Sequence, residues 1–136
     1  MIKRTITIQG WTVDFLFADG RNDPEGVYSI VRSFDAPADI LDDVERIMDA
    51  GPNCGFTFSN QYRRICICWI GPQTEGRQWV NTTVHEIVHV AMAIARDKDI
   101  DPFSESMAYL IGNITEGISD ILCFLSCDHC RERKND

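Results

Sequence analysis

The sequence predicts an α+β domain, because segments with the composition of β-strands are followed by segments with helical periodicity. A chain of 136 residues, of which 44% are hydrophobic, is long enough to bury one core. We therefore expect one domain over residues 1–136, in which a small, mostly antiparallel sheet packs against about three helices. The expected strands lie within residues 3–17 and 56–70, and the expected helices are residues 37–50, 79–96 and 101–126.

The N-terminal segment is expected to form a β-hairpin. Residues 3–8 alternate between polar and apolar side chains, and residues 11–17 are rich in β-branched and aromatic side chains. The Gln-Gly pair between them is typical of a two-residue turn. Residues 18–26 carry loop-forming Gly, Asn, Asp and Pro, and residues 27–34 are expected to return as a further strand.

An amphipathic helix is predicted next. Pro37 suits the first turn of a helix, and the apolar side chains that follow it recur every three or four residues with acids between them. The helix ends before a Gly-Pro pair, and we expect it to cover one face of the sheet. Residues 56–59 and 64–70 are two further strand candidates, separated by a polar turn.

The C-terminal part predicts two long helices joined by a short connection, which makes them antiparallel neighbours. The first covers residues 79–96 and has a regular apolar face. The second is expected to begin with Asp101 as its N-cap and Pro102 at its first helical position, and to run to about Ser126. Residues 127–136 are expected to be a frayed tail, because their basic side chains are interleaved with acids.

The charge of the chain argues against a nucleic-acid partner. It has 21 acidic and 13 basic residues and a net charge of -8, whereas phosphate contacts require Lys and Arg on one face. No segment has the roughly 18 to 20 uninterrupted apolar residues of a membrane span, and residues 1–7 alternate instead of forming the apolar part of a signal peptide. We expect a cytoplasmic protein with neither nucleic acid nor membrane as a partner.

The six cysteines are expected to be reduced, because the chain has a sizeable apolar fraction and no export signal. Cys66 and Cys68 are two residues apart in a strand pattern, so both should point into the core. The spacing of Cys123, Cys127 and Cys130 is also seen in iron-sulfur enzymes, but those need a large barrel around the cluster. Three other roles are open for these three cysteines. They could pack in the helix, they could form a structural metal site with His129, or the tail could fold over the active site as an inhibitory ligand.

The most informative motif is His-Glu-Ile-Val-His in the helix over residues 79–96. His85 and His89 are about one helical turn apart, so both imidazoles can reach one cation, and Glu86 lies beside them. Zinc binds neutral imidazole nitrogens and lowers the pKa of a bound water toward about 7. A carboxylate that is not itself a ligand can accept the proton of that water. The motif therefore predicts a Zn²⁺ site at His85 and His89, with Glu86 as general base.

Catalytic zinc sites usually have a third protein ligand, and the last helix offers two candidates. Glu105 lies near its start, and Glu116 lies eleven residues further on nearly the same face. In an antiparallel helix pair, the position on the last helix that lies opposite the two histidines is near residues 109 and 110. This position falls between the two candidates, and the geometry slightly favours Glu105 as the third ligand. Ala108 and Gly112 are on or next to this stripe, and we expect their small size to allow a close approach of the two helices.

With these residues the chain resembles the gluzincin-type zinc metallopeptidases, and more narrowly the short His-Glu-x-x-His proteins encoded by phages and prophages. The resemblance covers about residues 56–114 and implies a zincin-like fold, in which the motif helix is followed by an antiparallel helix that carries a ligand. The segment Glu-Ser-Met-Ala-Tyr implies that Glu105 is the third ligand and allows Tyr109 to act as an oxyanion donor. Glu116, with Asp120 four residues later, is similar to the alternative arrangement of the thermolysin-like enzymes.

The resemblance also implies that an extended peptide pairs with the sheet edge at residues 64–70. The chain has 47 residues after His89 (136 minus 89), and we expect them to hold no separate domain of the kind found in the larger relatives. From the motif and the resemblance, the leading hypothesis is zinc-dependent hydrolysis of a peptide or protein substrate. The alternative is a catalytically inactive, metal-stabilised binding module of phage or prophage origin. A third hypothesis is an interaction protein without a metal.

Overall fold

The computed structural model describes residues 1–19 and 23–132, and this part of the chain forms an α+β fold with four strands and five helices. The strands are β1 (Ile2–Ile8), β2 (Trp11–Phe17), β3 (Gly55–Asn60) and β4 (Ile65–Ile70). The helices are α1 (Pro24–Ser33), α2 (Ala38–Asp49), α3 (Gly76–Lys98), α4 (Glu105–Ser126) and α5 (Asp128–Glu132).

The four strands form one mixed sheet in the order β1-β2-β4-β3. The expected hairpin is confirmed: β1 and β2 pair antiparallel, and the turn residues Gln9 and Gly10 have φ angles of 52° and 76°. β4 pairs antiparallel with β3 but parallel with β2. The described sheet is thus mostly antiparallel, as expected, since two of its three pairings are antiparallel. The central pairing is parallel, because α1, α2 and β3 lie between its two strands in sequence.

Each face of the sheet has its own core, and the helices form one layer on each side. Alternate residues of β2 and β4 pack against α3 and α4, and this core includes Trp11, Phe15, Cys66 and Cys68. The buried positions of both cysteines were expected, and both thiols are free. The opposite face packs against α1 and α2.

Residues 27–34 do not form the expected strand. They belong to α1, whose N-cap Asp23 accepts a hydrogen bond from the backbone N–H of Gly26 and is followed by Pro24 at the first helical position. Val27 and Val31, four residues apart, are the buried side chains of this helix. The Asp-Pro-Glu sequence was therefore a helix start signal and not only a loop signal.

α4 begins three residues later than expected. Its N-cap is Ser104, whose hydroxyl accepts a hydrogen bond from the N–H of Met107, whereas the carboxylate of Asp101 accepts from the N–H of Phe103 in the preceding turn. Within the described residues, α4 is the helix long and apolar enough to cross a membrane, by length and composition. In this fold α4 buries six apolar side chains and packs against α3 and β1. After it, residues 128–132 form the short helix α5, and residues 133–136 of the expected frayed tail lie outside the described part.

α3 and α4 pack as the expected antiparallel pair, but Ala108 and Gly112 are not at their contact. Both are exposed, and a Cβ atom at Gly112 would meet nothing. The close approaches lie elsewhere: a Cβ at Gly76 would collide with the carbonyl oxygen of Ser126, and a Cβ at Gly117 would come within 3.2 Å of Ile6. The small residues that matter for packing are therefore at the ends and sheet-facing side of the helix pair.

Candidate metal centre

The two histidines of the motif converge on one point of the surface of α3. The Nε2 atoms of His85 and His89 are 3.2 Å apart, and their rings meet edge to face with centroids 4.9 Å apart. Zinc–nitrogen bonds of about 2.0 to 2.1 Å in a tetrahedral site would place two ligand nitrogens about 3.3 to 3.4 Å apart. The pair therefore fits one metal ion as two of its ligands. Both side chains are exposed, so the point between them is open to solvent.

Glu86 lies beside this pair but points into the protein. Only 4% of the residue is exposed, and its Oε1 atom is 4.0 Å from Nε2 of His85. Its Oε2 atom accepts a hydrogen bond of 2.7 Å from the hydroxyl of Thr57 on β3. The general base that the sequence predicts is thus a nearly buried carboxylate with one oxygen bonded to the sheet.

A cleft of about 360 Å³ opens beside His85 and Glu86, between α3 and the C-terminal end of α2. α3 also contributes Asn81 and Thr82 to its wall, and α2 contributes Arg46. The segment that enters β3 forms another wall, where a Cβ at Gly55 would come within 3.1 Å of both Glu86 and Thr82. Glycine at this position therefore lets the chain pass closely over the carboxylate.

The thiols beneath the site are held in their protonated form. Burial, and next the charge of Glu86, raise the pKa of Cys66 to about 12. The pKa of Cys68 is raised well above the ordinary value, mainly by burial. These thiols form the neutral floor of the site and are not available as thiolates near neutral pH.

The strand next to the site is β3, and not residues 64–70 as the resemblance implied. β4 is paired on both sides, with β2 and with β3, so it has no free edge for a peptide. β3 is the outer strand, and its Thr57 contacts Glu86. Residues 64–70 are therefore not the sheet edge that the resemblance implied, and the edge strand on this side of the sheet is β3.

Neither candidate for the third ligand lies at the histidine pair. Within the described ranges, 1–19 and 23–132, no three His, Cys, Asp or Glu side chains are grouped so that they could hold a metal ion. Glu105 is exposed in the first turn of α4, and His89 lies nine residues, or about 13 Å of helix rise, before the end of α3 at Lys98. A third ligand at Glu105 stays a prediction that this arrangement does not support.

Glu116 lies on the far flank of the helix pair. The next residue, Gly117, packs on Ile6 of β1 and accepts a hydrogen bond from Arg4 at its carbonyl. β1 and β3 are opposite edges of the sheet, about 14 Å apart at three strand spacings. α4 thus covers the β1 side, whereas the histidine pair lies on the β3 side. Asp120, the companion of Glu116 in the resemblance, forms an ion pair with Arg4 at 2.8 Å.

Tyr109 and the tail cysteines are also away from the cleft. Tyr109 is 66% exposed on α4 and is not among the residues that line the cleft. In the tail, contacts with the thiol of Cys127, then burial, then the thiol of Cys123 raise the pKa of Cys130. Within the described residues, Cys123, Cys127 and Cys130 form no disulfide, and the alternatives for their role stay open.

The site also contains residues that the sequence did not identify. Thr57 is 29 positions before Glu86, and Arg46 and Asn81 reach the cleft from two different helices. None of them belongs to a spaced motif, because their proximity depends on how α2, β3 and α3 pack. Helical spacing identified His85, Glu86 and His89 because those three residues share one helix.

The comparisons with known proteins leave the family of this chain open. No protein-family model matches the sequence, and neither the curated proteins nor the solved structures contain a significant match.

Proposed function

We propose that this protein is a zinc-dependent metallopeptidase in which His85 and His89 bind the metal and Glu86 is the general base. The observation that carries the proposal is the convergence of two imidazole nitrogens, 3.2 Å apart, beside a nearly buried carboxylate. Two neutral imidazoles repel each other if both lone pairs point at the same place. A hydrogen bond from the Nε2–H of one ring to the Nε2 of the other, or a metal cation bound by both, removes this repulsion, and the adjacent carboxylate favours the bound cation.

The surrounding residues support hydrolysis of an extended chain. Bound zinc would supply an acidified water and an electrophile for the scissile carbonyl. Glu86 would accept the proton of that water at Oε1, which is 4.0 Å from Nε2 of His85, whereas Oε2 accepts a hydrogen bond from Thr57. The outer edge of β3 offers backbone N–H and C=O groups for pairing with an extended peptide, and the adjacent cleft has room for a side chain.

The second candidate is a catalytically inactive, metal-stabilised binding module. It is favoured by the lack of a third His, Cys, Asp or Glu at the histidine pair among the described residues. Such a module would use the same two histidines and the same edge strand to hold a partner. The two candidates differ in whether Glu86 does chemistry, which makes them separable by experiment.

The metal is tested by measuring zinc content by mass spectrometry on protein purified without chelator. We expect about one zinc per chain in the wild type and its loss in His85→Ala and His89→Ala. His129→Ala is the matched control, because His129 is the third histidine of the chain and lies in α5. Wild-type protein that fails to take up added zinc would overturn both metal-dependent candidates. Loss of zinc in Glu105→Ala or Glu116→Ala would identify a third ligand that joins the pair on metal binding.

Catalysis is tested with the zinc-containing protein and a fluorescein-labelled casein. The metallopeptidase predicts cleavage by the wild type and none by Glu86→Gln, with equal zinc in both, because glutamine cannot accept a proton. The binding module predicts equal zinc and no cleavage by either protein. Cleavage that persists in Glu86→Gln would show that another group is the base.

A further inference from the structure

The hydroxyl of Thr57 is positioned to donate a hydrogen bond to the side chain of Glu86. The Oγ1 atom is 2.7 Å from Oε2 of Glu86 and 3.4 Å from the backbone oxygen of the same residue. A hydroxyl has a single proton, so it donates to one acceptor at a time. Among its contacts with the Glu86 side chain, the Glu86 backbone oxygen and the thiol of Cys68, the short bond to the carboxylate is the strongest. Thr57 is therefore a donor that compensates a carboxylate of which 4% is exposed.

The neighbouring chain restricts where this carboxylate can go. Gly55 and Thr82 flank its side chain, and a Cβ at Gly55 would already press on Cγ of Glu86 at 3.1 Å. With Oε2 bonded to the strand, Oε1 is the oxygen on the side of His85. The two oxygens thus have different surroundings, one fixed by the sheet and one facing the histidine pair.

We propose that Thr57 is the positioning residue for Glu86. Its hydroxyl holds Oε2 so that Oε1 alone faces the reacting water, and it ties the base to the edge strand that would pair with a peptide. A substrate that pairs with β3 would therefore meet a carboxylate fixed by the same strand. This inference rests on the proposed metallopeptidase function for its catalytic part, whereas the hydrogen bond can be tested without any activity.

The hydrogen bond is tested by a double-mutant cycle in urea. Thr57→Val keeps the shape of the side chain and removes the hydroxyl, and Glu86→Ala removes the acceptor. We expect Thr57→Val to lower the unfolding midpoint in the wild type and to have a clearly smaller effect in Glu86→Ala. Equal shifts in both backgrounds would mean that the two side chains are not coupled and would overturn the inference.

The positioning role is tested by kinetics on labelled casein with zinc-containing protein. Thr57→Val should lower kcat about 10- to 100-fold, the range found when hydrogen-bond partners of metal-site residues are replaced, with KM and zinc content little changed. Thr57→Ser keeps the hydroxyl and should restore most of the loss. Thr115→Val is the matched control, since it makes the same change at a threonine of α4 whose hydroxyl donates to the carbonyl of Ile111 and which does not line the cleft, and it should leave kcat unchanged.

The outcomes separate this inference from the proposed function. An active wild type with no kcat loss in Thr57→Val, or no rescue by Thr57→Ser, would overturn the positioning role and leave the metallopeptidase intact. A zinc-containing wild type that shows coupling in the cycle but cleaves nothing would overturn the proposed function, and the catalytic role of Thr57 with it. Loss of zinc in Thr57→Val would also overturn the inference, because the residue would then act on the ligands.

Discussion

At the scale of single residues, the site combines groups that water reaches with groups that it does not. His85 and His89 are exposed to solvent, whereas Glu86 and the thiols of Cys66 and Cys68 are buried beneath them. A buried carboxylate without a donor would be costly, and the hydroxyl of Thr57 offsets that cost. The thiols face the carboxylate as neutral groups, because burial raises the pKa of both.

The protonation of these thiols gives a prediction about their reactivity. With a pKa of about 12, Cys66 is a thiolate in about one molecule in ten thousand at pH 8. We expect an aromatic disulfide reagent such as DTNB to react with at most four of the six cysteines in the folded protein at pH 8, and with all six in denaturant. Cys66→Ser should leave the folded count unchanged and lower the denatured count by one. Five or more fast-reacting thiols in the folded state would contradict this account.

At the scale of the elements, the close contact between the start of α3 and the end of α4 fixes how the helix pair meets. Gly76→Ala would push a methyl group into the carbonyl oxygen of Ser126, which is backbone and cannot move aside. We expect a lower melting temperature, by the few degrees that correspond to about 1 to 3 kcal/mol. The substitution would push the start of α3 and the end of α4 apart and would leave the histidine pair in place.

Gly112→Ala is the matched control for Gly76→Ala. Gly112 lies within α4 and is exposed, and a Cβ atom added there would have no neighbour within 4 Å. Alanine should stabilise the helix there by about 0.5 to 1 kcal/mol, because glycine loses more backbone entropy on folding. Calorimetry on the two variants should therefore show shifts of opposite sign. A lower melting temperature for Gly112→Ala would mean that Gly112 has a packing role, and a higher one for Gly76→Ala would mean that the contact with Ser126 does not limit the helix pair.

The elements also show why sequence reasoning succeeded in some places and failed in others. The hairpin, α2 and α3 were predictable because turn residues and apolar periodicity act locally. The start of α4 was missed because both Asp101 and Ser104 are good N-caps, and only the packing selects Ser104. The parallel pairing of β2 with β4 and the contact of Thr57 with Glu86 connect distant parts of the chain, and no local pattern encodes them.

The third ligand is the clearest case of this limit. Spacing along α4 placed Glu105 and Glu116 on one face, but spacing does not state which way that face points. The rotation of α4 is set by its buried apolar stripe, which contacts α3 and the β1 side of the sheet. Both acids consequently lie away from the histidine pair. Only the three motif residues, which share one helix, could be placed together from the sequence.

At the scale of the whole molecule, Asp97 joins three elements at the end of the sheet opposite the cleft. Its carboxylate accepts a hydrogen bond of 2.9 Å from the indole N–H of the buried Trp11 on β2, and it lies 3.0 Å from Arg64, next to β4. The hydrogen bond from Trp11, followed by the charges of Arg64 and Lys98, lowers the pKa of Asp97 below its ordinary value. The charged form is thus favoured by folding.

This lowered pKa gives a stability that depends on pH. The folded pKa lies below the unfolded value of about 3.9, so the contribution is complete above that value and is lost as the pH falls through the folded pKa. Asp97→Asn keeps an acceptor for Trp11 but removes the charge. We expect its melting temperature to be below that of the wild type at pH 7 and the gap between the two to narrow as the pH falls below about 4.

Asp99→Asn controls for the loss of one negative charge near the end of α3. Asp99 is exposed and has a φ angle of 53°, a conformation that asparagine adopts readily. The melting temperature of Asp99→Asn should therefore stay close to that of the wild type at both pH 7 and pH 3. A gap for Asp97→Asn that is as large at pH 3 as at pH 7 would show that the side chain acts through packing and not through its charge. A narrowing gap would place part of the acid sensitivity of the fold at this junction, where one carboxylate connects β2, the start of β4 and α3.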